Sequence, residues 1–137
     1  MSTQSKNVIR FYAGVRKENE AYIFFHFYNG RTLRDLMFFN PNMDEKFVAQ
    51  IAKQLLKGLM ELHENKFIHR DLKPANILLH FECMPSDKHV SREYLTNFNF
   101  KKNNCFSVVI ADLGLGREMA FEMSVQGTPL YKAPEVK

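Results

Sequence analysis

Cysteine is scarce in this sequence: there are two, Cys83 and Cys105, in 137 residues. So few rule out a scaffold built on disulfides, and free thiols in a reducing compartment are the expectation. Long apolar runs are missing as well. None approaches the roughly 20 residues that a membrane-spanning helix requires, and the opening MSTQSKNVIR has no apolar core of a signal peptide. Nor is there a large excess of one charge. The formal net charge is +4, with Lys and Arg scattered rather than gathered, which argues against nucleic acid as a partner. Internal repeats and low-complexity tracts are absent. These absences together lead us to expect a cytoplasmic protein with neither a membrane nor a nucleic-acid partner. Hydrophobic residues make up 45% and charged ones 25%, and 13 Phe supply bulky core material, so one folded domain is expected.

Residues 8–12 (VIRFY) and 21–27 (AYIFFHF) are rich in β-branched and aromatic residues and flank the polar KENE at 17–20. This pattern predicts two strands joined by a turn. The second run is nearly continuous, which predicts a strand covered on both faces. Thr32 with Asp35 has the form of a helix cap, followed by a short helix ending before Pro41. Asn42 with Glu45 then opens the clearest helix, 43–64, with Phe47, Val48, Ile51, Leu55, Leu59 and Leu62 on one face and Asn65 as a left-handed terminator. Met37, Phe38 and Phe39 are expected in the core. NILL predicts a strand, and SVVIADLG a strand running into a sharp turn. Residues 80–106 have no clear period, and the stretch after Leu115 is loop-like, with Gly127, Pro129 and Pro134 as punctuation.

The chemistry lies in IHRDLKPANILLH, residues 68–80. Asp71, Lys73 and Asn76 place an acid, a cation and an amide within six positions. Phosphoryl transfer to a hydroxyl needs these groups: a carboxylate to accept the proton, a cation to neutralise the moving phosphoryl group, and oxygen ligands for Mg²⁺. Asp112 in IADLGLG, at the end of an apolar strand, is the candidate for a second metal-binding acid.

HRDLKPANILL resembles the catalytic loop of eukaryotic protein kinases. DLG stands where most of that family has Asp-Phe-Gly, and GTPLYKAPE resembles the end of the activation segment. The Lys two places after Asp71 and the Thr in GTP resemble the serine/threonine branch. The resemblance implies an α+β, protein kinase-like fold, incomplete, with the end of the N-lobe sheet and the first part of a helical C-lobe. On this division residues 1–28 are N-lobe strands and hinge, 29–137 are C-lobe, and 80–106 are a surface insertion near the hinge side. It implies ATP and Mg²⁺ as cofactors and a protein substrate. Asp71 would be the catalytic base, Lys73 would steady the phosphoryl group, and Thr128 would help admit a Ser/Thr substrate. Asn76 and Asp112 would ligate Mg²⁺. Phe25 would be the gatekeeper, with His26, Phe27 and Tyr28 offering backbone groups to adenine and Leu78 beneath it. His69 and Leu113 would pack in the family's hydrophobic spine. Arg70 would pair with a phosphate placed by an activating kinase, for which Ser124 is the candidate site.

The sequence departs from the family's pattern. No glycine-rich loop precedes residue 8, no VAIK-type lysine appears, and the chain stops two residues after APE. The isolated chain is therefore expected to be poorly stable and to transfer phosphate negligibly. A kinase-like binding module without catalysis is the alternative. His80, Cys83, His89 and Cys105 could also be read as a zinc site, but their irregular spacing argues against it.

Overall fold

A computed structural model describes residues 6–102, 105–118 and 127–136. Strands β1 (Phe11–Lys17) and β2 (Glu20–Phe25) form the expected antiparallel hairpin, with Lys17 opposite Glu20 at the turn. Residues 8–10 are not part of this ribbon. Val8 instead forms a parallel bridge to Ile110. The expectation that the second strand is covered on both faces is corrected: every residue of β2 is exposed, Ile23 at 60% and Phe25 at 45%. A two-stranded ribbon shields neither of its faces, and among the described residues no other element packs over it.

Helix α1 (Leu33–Phe39) begins at Thr32, where the hydroxyl accepts from Asp35 N at 3.1 Å and the Asp35 carboxylate accepts from Thr32 N at 3.1 Å. This reciprocal cap satisfies two amides that the first helical turn leaves unpaired. Met37 and Phe38 are exposed, contrary to expectation, because α1 buries Leu33 and Leu36 instead. Helix α2 (Glu45–Glu64) is capped by Asp44 rather than Asn42, its carboxylate accepting from Lys46 N and Phe47 N at 3.0 and 3.2 Å. Its buried face is Phe47, Ile51, Gly58 and Leu62, while Val48 faces outward. At its end Asn65 is not left-handed (φ −82°); Lys66 takes that conformation (φ 60°).

Strand β3 (Phe67–Ile68) leads into the site and pairs with β6 (Arg117–Glu118), a short element in a stretch expected to be loop. Strands β4 (Ile77–Phe81) and β5 (Phe106–Ile110) are antiparallel, with Ile77 opposite Ile110 and Phe81 opposite Phe106. Both edges of this pair are extended. Ile110 N donates to Asn7 O and Ile9 N to Ile110 O on one side; Leu79 N donates to Arg31 O on the other. Ile77, Leu79 and Phe81 alternate inward, so Leu78 and His80 share the opposite face.

The main core lies between this sheet and helices α1 and α2. Phe47 centres it, with ring centroids 4.7 Å from Phe106 and 5.3 Å from Phe98. Residues 80–106 therefore do more than loop out at the surface. They contain helix α3 (Arg92–Thr96), capped by Ser91, and they place Phe81, Val90, Leu95 and Phe98 in the core. The same segment lies against residues 27–31: Val90 N donates to Asn29 O, and the rings of Phe27 and His89 are 4.7 Å apart. Among the described residues no helix is long and apolar enough to cross a membrane.

Candidate active site

The site is assembled where β3 ends. His69 is buried, and its Nδ1 accepts from Asp71 N at 3.2 Å. The ring proton therefore resides on Nε2, which donates to Ala111 O at 2.8 Å. Ala111 N in turn donates to Asn76 O at 2.8 Å. The backbone just before Asp112 is thus gripped through its carbonyl by one end of the 69–76 segment and through its amide by the other. Asp112 itself sits in the left-handed region (φ 59°, ψ 65°), a conformation that Asp tolerates better than most residues. This is the sharp turn expected after β5. Its side chain is exposed.

Asp71 is buried, 6% exposed, and its carboxylate accepts from four donors. Thr128 N and Thr128 Oγ1 reach Oδ1 at 2.9 and 2.6 Å, and Lys73 Nζ and Asn76 Nδ2 reach Oδ2 at 2.6 and 3.0 Å. Lys73 Nζ also donates to Thr128 Oγ1 at 2.7 Å, so the hydroxyl accepts from the lysine and donates to the acid. Burial pushes the Asp71 carboxyl upward, but hydrogen bonds from Lys73 and Thr128, and the lysine's charge, outweigh it. The net result holds Asp71 far below the usual carboxylate range. The turn Pro74–Asn76 returns the chain so that Asn76 Nδ2 also reaches Asp71 O at 3.0 Å. Pro74 suits this turn because its φ is preset and a first-turn amide needs no partner.

Thr128 is delivered by Gly127, a residue that sequence reasoning treated only as punctuation. Its φ is +100°, and a Cβ there would lie 2.4 Å from Arg70 O. Only glycine lets the two loops approach this closely. A motif search could have found it from GTP; the contact itself leaves no mark in the sequence. Asn29 also went unrecognised. It is fully buried, its amide nitrogen donates to Phe81 O and Pro85 O, and its amide oxygen accepts from Phe81 N.

The remaining sequence-selected residues divide by place. Leu113 packs against the small cluster of Val8, Leu62 and Ile110. Phe25 makes an edge contact with Phe11, their centroids 6.2 Å apart. His26 N donates to Arg10 O at 2.8 Å, and its ring Nδ1 is paired with Tyr12 OH at 2.6 Å. Tyr28 OH accepts from Arg10 N at 3.2 Å. His80 stands within 5.9 Å of both the His26 and Tyr28 rings, so the face that Leu78 shares with His80 is turned toward residues 26–28. Arg70, next to Asp71, is left-handed (φ 66°). Ser124 lies outside the described residues. Glu135 is exposed.

The donor chemistry fits Mg²⁺. Asn76 commits its amide nitrogen to Asp71, and among the described residues no donor meets its amide oxygen. That oxygen and the Asp112 carboxylate are hard ligands. Among the described residues no group of three or more His, Cys, Asp or Glu converges, which disfavours zinc at His80, Cys83, His89 and Cys105. Mg²⁺ takes few protein ligands and completes its shell with phosphate oxygens and water.

Known proteins are similar to this chain in sequence. The chain is 31% identical to a putative serine/threonine-protein kinase of Acanthamoeba polyphaga mimivirus over 95% of its own length and 30% of the relative's. It is 30% identical to the MAP kinase kinase kinase wis4 of Schizosaccharomyces pombe, covering 95% of this chain and 9% of that one. With serine/threonine-protein kinase dst1 of Dictyostelium discoideum the identity is 31%, over 95% of this chain and 15% of the relative. The chain thus spans less than a third of the length of each. The family described as "Protein kinase domain" matches residues 1–136. With the buried acid, its lysine and threonine partners and the pinned second aspartate in one place, this match shows that the chain belongs to the protein kinase domain family.

Proposed function

We propose that this chain carries the catalytic loop, metal ligands and hinge of a serine/threonine protein kinase, serving transfer of the ATP γ-phosphoryl group to a protein hydroxyl. The observation that carries this reading is the carboxylate of Asp71, held ionised by Lys73 and Thr128 beside Asn76. Asp71 would accept the substrate hydroxyl's proton. Lys73, already on the same carboxylate, would neutralise charge as the phosphoryl group moves. Thr128 would orient the acid and border the incoming Ser or Thr. Asn76 Oδ1 and Asp112 would hold Mg²⁺, which when bound with ATP neutralises the phosphate oxygens. Residues 25–28 and Leu78 would receive the adenine. A protein substrate follows from this chemistry, and an activating kinase acting on Ser124 is the proposed regulator, with Arg70 as the phosphate's partner.

Metal-dependent nucleotide binding by the chain tests the reading. Titration with a fluorescent ATP analogue should show binding that needs Mg²⁺. Asp112→Asn should weaken it by roughly tenfold or more with the metal and little without it. Binding that ignores both the metal and Asp112 would overturn the proposal. It would leave the second reading, a kinase-like binding module without catalysis, which the exposed apolar hairpin favours.

A further inference from the structure

The chain's only two cysteines, Cys83 and Cys105, are distant in sequence yet lie at the same end of the β4–β5 ladder. The β4–β5 ladder ends at Phe81 opposite Phe106, and one further bond, Glu82 N to Cys105 O at 3.2 Å, keeps the two backbones side by side. Met84 N donates to Phe81 O at 3.1 Å, so the chain turns through Glu82 and Cys83. Cys83 thus stands one residue from the backbone partner of Cys105, near enough that Cys105 is the group acting most strongly on its thiol. Both residues are exposed, so a soluble oxidant can reach them. Among the described residues no third metal-ligating side chain joins them, so the pair is not part of a metal centre.

We propose that Cys83 and Cys105 are a reversible redox pair whose oxidation closes a disulfide across the open end of the β4–β5 ladder. The oxidant is a small disulfide of the glutathione class. One protein thiolate attacks it, forming a mixed disulfide and releasing one small thiol; the second protein thiolate then displaces the other. Two S–H bonds are lost and one S–S bond forms in the protein. Two electrons and two protons end on the two released small thiols. The closed loop carries Val90, Leu95 and Phe98 of the core and touches Phe27 and Asn29 beside the hinge. Oxidation therefore staples the segment that borders residues 27–29. The neighbouring Cys105 side chain pushes the Cys83 thiol upward. Closure should accordingly speed up as pH rises through the thiol range.

The reduced 137-residue chain, freed of reductant, is incubated with oxidised glutathione and read by intact mass and peptide mapping. The expected product is lighter by about 2 Da, contains a linked Cys83–Cys105 peptide and reverts with dithiothreitol. It should exceed glutathione adducts by about tenfold or more, because the partner thiol is held at high effective concentration. Cys83→Ser and Cys105→Ser should each stop at a single adduct. A urea-unfolded sample should lose the preference. Adducts without an internal bond, intermolecular dimers as the main product, or the same internal preference in urea would each overturn the proposal.

Discussion

At Asp71, opposing physical effects meet on one carboxylate. Burial favours the neutral acid, yet four donors and a lysine charge favour the anion, and the anion prevails. Asp71→Asn replaces one accepting oxygen with an amide nitrogen that cannot accept from Lys73 or Thr128. Because Lys73 is partly exposed, with 24% side-chain exposure, the loss is that of a screened pair plus its hydrogen bonds, about 1–3 kcal/mol. Urea unfolding of both chains measures it. The folded-state pKa is depressed, so the stabilisation is fully present above the unfolded carboxyl value of 3.8. It is lost as pH falls through the lower folded value. The difference between wild type and Asp71→Asn should hold steady from about pH 7 to 5 and shrink only below about pH 4. A difference that vanishes near pH 6 would mean that the carboxylate is not held as described.

Among the elements, α3 is the one whose existence depends most on its neighbours. Five residues are too few for a stable helix in water, so its packing must hold it. Leu95 is fully buried in the main core. Leu95→Ala should cost about 2–5 kcal/mol, against about 0.5 kcal/mol or less for a loop on the surface. A shift in the unfolding midpoint at the lower figure would return residues 80–106 to the status of a decoration. The same contrast shows what could be read in advance. The Thr32–Asp35 cap and the long α2 are local patterns, and they stand where expected to within a few residues; the hairpin forms too, but its first strand is Phe11–Lys17 rather than residues 8–12. Asp44 replaces Asn42 as cap because both are good acceptors and only Asp44 directly precedes the helix. The acid–lysine–amide set was legible because its spacing is itself the chemistry, and the glycine after Leu113 marked the turn at Asp112. Leu95, Phe98 and Asn29 were not legible, since their burial is decided by partners far along the chain. The double grip on Ala111 runs through backbone atoms that every sequence possesses, so no residue type announces it.

Over the whole molecule, apolar surface is left open on several sides. The hairpin exposes Phe11, Val15, Ile23 and Phe24, all above half, and α2 exposes Leu56 at 66% and Met60 at 61%. Beyond the site, Leu130 is 91% exposed. Contiguous patches of this kind are uncommon on isolated monomers and drive association. Burial contributes about 25 cal/mol per Å², and a domain's net stability is only about 5–15 kcal/mol. A few hundred Å² thus weighs as much as the whole margin of folding. The purified chain is therefore expected to self-associate with rising concentration, seen as a rising weight-average mass in sedimentation, and to melt broadly. Ile23→Lys with Leu56→Lys should lower that mass at equal concentration. Both side chains are more than half exposed, so the change in monomer stability should stay within about 0.5 kcal/mol per site. This separates surface association from misfolding: a misfolded chain would keep its high mass after both substitutions. A chain that stays monomeric across the concentration range, with one sharp thermal transition, would show that these faces impose no such penalty.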